Sequence, residues 1–166
     1  MNCELRKLSP EDGRDVYEML QELPRDENGF INGCNGRTYD EFKKWLTKSN
    51  NVANGIGLED WMVPHNIYWL YVDGLPVGMG KLRHYLIDKL REEGGHGGYS
   101  ILPSHRNRGY GKLLLKMLIN SARDMKIERL LLTIQNHNIP SIRVALANNG
   151  RIEEVDTQRH FIWIDC

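Results

Sequence analysis

Arg106, Arg108 and Lys112 are interleaved with Gly109 and Gly111 in the stretch SHRNRGYGKLLL, residues 104–115. Capture of an anion is the chemistry open to such a cluster. A glycine-rich loop that runs into an apolar helix leaves the first-turn amides without partners, and the helix dipole adds partial positive charge. Glycine also exposes backbone that a Cβ would shield. From Pro103 to Arg129, seven Lys and Arg residues stand against two carboxylates, whereas the whole chain balances 22 bases against 22 acids. The positive charge is therefore local, and its natural ligand is a phosphate or pyrophosphate.

Two phosphate motifs do not fit. A P-loop requires glycine where Arg106 stands and Ser or Thr where Leu113 stands. The dinucleotide fingerprint requires a third glycine at Leu114, and this segment falls late in the chain.

The elements around the cluster follow from periodicity. The stretch 3–8 reads as a strand and 9–23 as a helix, with Ser9 as N-cap and Pro10 at its first position. Three Asn-Gly pairs make 24–36 a loop. Thr38 and Glu41 have capping-box spacing at the head of a helix over 38–49, and 50–60 is loop again. Two strands flank a turn at Asp73-Gly74, and a short polar helix or turn over 86–93 precedes a strand near 96–102. Leu114, Leu118, Ala122 and Met125 give the next helix, about 109–125, one apolar face. ERLLLTIQ (128–135) reads as a buried strand, a helix opens at Asn138 and Pro140 and stops at Asn149-Gly150, and two strands close the chain. The succession is α/β of the α+β type in one domain, 1–166, with a strand–loop–helix–strand unit around the charged cluster.

Composition narrows the function. A net charge of zero excludes a global field for nucleic acid, so no nucleic-acid partner is expected. No stretch approaches about 18 apolar residues, and the start lacks a signal-peptide core, so no membrane partner is expected either. Cys3, Cys34 and Cys166 lack pairing or ligand spacing and read as free thiols of a reducing, cytoplasmic setting. The histidines have no metal-ligand spacing, and no metal is expected.

The pattern Arg-x-x-Gly-x-Gly, as Arg106, Gly109 and Gly111, resembles the coenzyme A pyrophosphate loop of the GNAT superfamily of N-acetyltransferases. The preceding strand ending at Pro103, the amphipathic helix, the buried strand and NHNIPSIRVALANNG (136–150) follow in that family's order. The resemblance spans about Ile67 to Asp165. It implies a mixed, mostly antiparallel sheet of about six to seven strands with a splayed parallel pair and about four flanking helices. It implies acetyl-CoA as co-substrate and a small-molecule or protein amine as acceptor, attacked directly in a ternary complex by a monomer or homodimer.

By the same resemblance, the cofactor site comprises Tyr99, Ile101, Leu102, Arg106, Arg108, Gly109, Tyr110, Gly111, Lys112, Asn138 and Ser141. Backbone groups near Tyr99, Ile101 and Leu102 would hold the thioester carbonyl and the amide arm. The attacking nitrogen must lose a proton, and His96, set among Gly94, Gly95, Gly97 and Gly98, is the expected general base, with Glu93 in reserve. Those glycines either make room for substrate or mark a bulge or close backbone approach. A tyrosine seven residues after Asn138 usually serves as acid, but Ala145 stands there. Tyr99, Tyr110 or water would have to substitute, or the chain is a catalytically silent acyl-CoA-binding module. Asp26, Glu27, Glu59 and Asp60 either attract a cationic amine or are solvated loop charges.

Overall fold

In the computed structural model, which describes all 166 residues, the chain begins with β1 (Cys3–Lys7), α1 (Arg14–Glu22), β2 (Asp26–Glu27), β3 (Phe30–Ile31) and α2 (Tyr39–Ala53). The hairpin β4 (His65–Val72) and β5 (Leu75–Arg83) follows, then α3 (Asp88–Glu92), β6 (Gly97–Ile101), α4 (Tyr110–Asp124) and β7 (Arg129–Gln135). It ends with α5 (Ile139–Ala147), β8 (Arg151–Val155) and β9 (Arg159–Asp165).

Two antiparallel sheets, ordered β1-β4-β5-β6 and β7-β9-β8, meet where β6 approaches β7. Ile101 pairs with Gly78 and Tyr99 with Gly80, while Leu114 lies over Gly78 and Leu118 over Gly80. Helix α4 thus runs back along β6, and β7 leaves in the same direction as β6. That is the expected parallel pair.

The β4–β5 turn works as the dipeptide requires. Asp73 and Gly74 both have positive φ, 49° and 84°, the type I′ geometry that matches strand twist. Strand β4 is buried on both faces by strict alternation. Tyr68, Leu70 and Val72 join α4, β7 and β9 in one core, whereas Ile67, Trp69 and Tyr71 join α1 and α2 in another. Each fully buried leucine on α4, such as Leu114, contributes about 2 kcal/mol of transfer free energy. The central layer is consequently clamped between α1/α2 and α4/α5.

Three boundaries differ from the sequence reading. Helix α1 starts at Arg14 rather than Ser9, because residues 9–12 form a turn in which Asp12 Oδ2 accepts from the Ser9 amide at 2.9 Å and from the Trp69 indole at 2.8 Å. Helix α2 has the expected capping box but extends to Ala53, with Val52 of its last turn also buried. The 24–36 segment, read as loop, contains the β2–β3 hairpin. No helix is long and apolar enough to cross a membrane.

Candidate active site

A cavity of about 780 Å³ opens between β6 and β7, and its origin is a single pivot. At Leu131 the two strands touch: the His96 amide donates to Leu131 O at 2.9 Å, and the Leu131 amide donates to His96 Nδ1 at 2.8 Å. The imidazole replaces a backbone carbonyl in the ladder. Toward their C-terminal ends the strands diverge, with Gly97–Ile101 on one wall and Leu132–Gln135 on the other. Gly95 makes the close approach possible: its φ is +57°, and a Cβ there would collide with Leu131 O, while a Cβ on Gly97, φ +150°, would collide with Lys81 O on β5.

The divergence leaves β6 with unpaired backbone. The Leu102 amide bonds Val77 O on β5 at 2.9 Å, and strand alternation then turns the amides of Tyr99 and Ile101 the other way, into the gap. Ile101 O agrees, since it accepts from Arg106 Nε at 3.0 Å on that side.

Beyond β6 lies the glycine loop that enters α4. Gly109 is the N-cap of α4 in the left-handed conformation, φ +81°, and no side chain caps the helix. The first helical bond is Leu113 N to Gly109 O at 3.1 Å. The consecutive amides of Asn107, Arg108, Gly109, Tyr110, Gly111 and Lys112 donate to nothing within the chain. A Cβ on Gly109 would meet no atom within 4 Å, so the backbone there is open. Uncapped amides at a helix entrance bind phosphate oxygens without further help.

The structure brings Tyr99, Ile101, Arg106, Gly109, Tyr110, Gly111, Lys112, Asn138 and Ser141 to the cavity wall, and leaves three expected residues outside it. Leu102 turns its side chain into the α1/α2 core, 6% exposed. Arg108 is exposed on the loop and does not line the cavity. His96 is 5% exposed and also absent from the wall. Its Nδ1 is an acceptor, so the neutral ring carries its proton on Nε2 and has no lone pair to offer a substrate. Burial, with the charges of Arg91 and Arg83, lowers its pKa to about 4. In this geometry His96 pins the two strands together.

Arg106 lines the cavity with its guanidinium already engaged. It donates to both Glu27 carboxylate oxygens, at 2.7 and 3.1 Å, tying the loop to β2. Glu27 therefore holds the loop rather than an amine, and Glu59 and Asp60 are not on the wall. Tyr99 presents a buried hydroxyl with no formed hydrogen bond. Burial raises its pKa, opposed by the nearby Ser141 hydroxyl. Ala145 is fully buried off the wall, so α5 offers no phenol.

Apart from Glu93, the opposite end of the cavity was not read from the sequence. It is lined by Phe30, Lys81, Arg83, Glu93, Thr133 and Arg159, drawn from four separate strands and one loop. Glu93 pairs with Arg159 at 3.3 Å. Lys81 and Arg83, at i and i+2 of an extended run, carried the one signal available, because they share a face with core residue Met79.

The Acetyltransferase (GNAT) family matches residues 17–150. The chain belongs to that family of acyltransferases. No curated protein matches it by sequence. Among solved structures it is similar to a GNAT-family acetyltransferase of Streptococcus pneumoniae, at 17% identity and TM-score 0.66 over 99% of this chain and 100% of that one. It is similar to the PaiA N-acetyltransferase of Thermoplasma acidophilum in complex with coenzyme A, at 15%, 0.60 and full coverage of both chains. The N-acetyltransferase PseH of Campylobacter jejuni in complex with acetyl coenzyme A matches at 12% and 0.62 over 99% of each chain.

Proposed function

We propose that the chain moves an acetyl group from acetyl-CoA to a primary amine by direct attack in a ternary complex. The run of unpartnered amides from Asn107 to Lys112 beside the divergent strands carries this reading. These amides and the Lys112 ammonium hold the diphosphate, and Asn138 and Ser141 face the pantetheine arm from α5. The Tyr99 and Ile101 amides, turned into the gap, hold the thioester carbonyl oxygen and stabilise the charge it gains.

The amine nitrogen bonds the carbonyl carbon as the carbon–sulfur bond breaks. Glu93, the cavity carboxylate at the acceptor end, accepts the proton from nitrogen. Tyr99 donates its phenolic proton to the departing sulfur, in place of the missing α5 tyrosine. A buried phenol without a partner has no competing acceptor for that proton.

Free thiol released from acetyl-CoA in the presence of an amine panel tests the proposal, with thermal stabilisation by CoA measured alongside. Stabilisation with turnover supports it. Stabilisation without turnover on any amine identifies a silent acyl-CoA-binding module, the reading that buried Ala145 favours. For Glu93→Gln, a rate that no longer rises with pH on the acid side supports its role as base, and an unchanged profile removes it.

A further inference from the structure

Lys81 and Arg83 are two half-buried cations on one face of β5, both on the cavity wall, and neither has a carboxylate within 4 Å. Lys81 Nζ donates once, to Ile31 O at 2.6 Å, and lies 5.2 Å from the centre of the Phe30 ring. Arg83 uses only Nη1, for Gly94 O and Gly95 O at 3.2 Å each, so Nε and Nη2 make no hydrogen bond. Glu27 and Glu93 are the carboxylates of the wall, and each is taken by an arginine, Arg106 or Arg159. Like charges held in a partly desolvated pocket cost free energy until an anion enters. The strain is visible in Lys81, whose pKa burial and then the Arg83 charge push down to about 8.

Coenzyme A does not supply that anion. Lys81 pairs with Gly98 and the Arg83 amide donates to His96 O, which places both at the N-terminal end of β6. The diphosphate receptor lies past the C-terminal end. At 3.3 Å per residue, Gly98 and Ile101 alone are about 10 Å apart, and the thioester site lies between.

We infer that the amine acceptor bears a carboxylate, as an α-amino acid does, and that Lys81 and Arg83 bind it. The inference rests on the proposed N-acetyl transfer. Nε and Nη2 of Arg83 form the fork that receives two carboxylate oxygens, and Lys81 adds a point charge. Neither carboxylate of the wall is left unpaired beside them, so the wall matches the carboxylate of the acceptor. A cationic polyamine would meet two cations instead.

Steady-state release of CoA with the standard α-amino acids, their α-carboxamides and spermidine tests this. At least one amino acid is expected to exceed its carboxamide in kcat/KM by about 10-fold or more, the size of one lost charge-assisted bond. Arg83→Gln and Lys81→Met should each erase that ratio through KM, with thermal stabilisation by CoA retained and partial recovery in Arg83→Lys. Carboxamides or spermidine used as well as amino acids overturn the inference while leaving the transferase intact. So does a ratio that survives both substitutions. CoA stabilisation without turnover on any amine overturns the transferase proposal and the inference together.

Discussion

The cofactor end and the acceptor end of the cavity are made of different material. At the cofactor end the ligand groups are backbone amides of consecutive residues, Asn107 to Lys112, aimed by one left-handed glycine and one helix. At the acceptor end they are side chains from β3, β5, β7, β9 and the segment before β6, brought together only by the sheets. A backbone receptor depends on local conformation and tolerates sequence change around its glycines. A side-chain receptor can be rewritten at any position without altering the fold, which is how one scaffold serves many acceptors.

Breaking the pivot between the two ends should have the largest effect. Gly95→Ala forces a Cβ into Leu131 O at a positive φ, and is expected to cost about 3–5 kcal/mol. Urea unfolding would measure it, and a loss below about 1 kcal/mol would refute the close-approach account. Next comes the cofactor end, where two arginine-rich-loop positions make opposite predictions. Lys112→Glu, on the wall, should weaken CoA binding about 10- to 100-fold at low salt, whereas Arg108→Glu, off the wall, should change it less than about 3-fold. Calorimetric titration with CoA separates the two, and equal losses would return Arg108 to the site.

Tyr99→Phe should lower kcat about 100-fold, the low end of general acid effects, with KM for acetyl-CoA unchanged. Unaltered kcat would assign the proton to water. The smallest effect near neutral pH belongs to His96→Asn, which keeps an acceptor for the Leu131 amide and loses the titrating ring. Its activity at pH 7.5 should stay within about 3-fold of the parent, since a pin is not a base. In the parent, the folded pKa of about 4 lies below the ordinary 6.5, so acid protonates the unfolded chain first. The stability held by neutral His96 is complete above pH 6.5 and is lost as pH falls toward 4, by about 3 kcal/mol at most. His65, also lowered to about 4, loses stability over the same window, so the variant should retain part of the acid slope. An acid slope identical to the parent's would show that His96 does not titrate as the burial requires.

Much of this contrast is legible in the chain itself. The Asp73-Gly74 turn, the Thr38–Glu41 capping box and the apolar face Leu114–Leu118–Ala122 are local patterns with local causes, and each formed as read. Arg106, by contrast, carries the same charge whether it meets a phosphate or a carboxylate. Glu27 lies 79 positions away, and nothing near either residue announces the pair. The glycines around His96 allowed room for substrate or a close backbone approach, and only the positions of Leu131 and Lys81 chose the second, for Gly95 and Gly97 respectively. Leu102 similarly belonged to the right strand and the wrong face.

What the amino-acid order determined on its own is the cofactor end: six amides, two glycines and a helix start are contiguous, so short-range conformation suffices to assemble them. Tertiary structure alone decided the acceptor end and the part played by His96. Those depend on which strands lie side by side and which faces they bury, and such contacts between distant residues are settled by packing of the whole sheet.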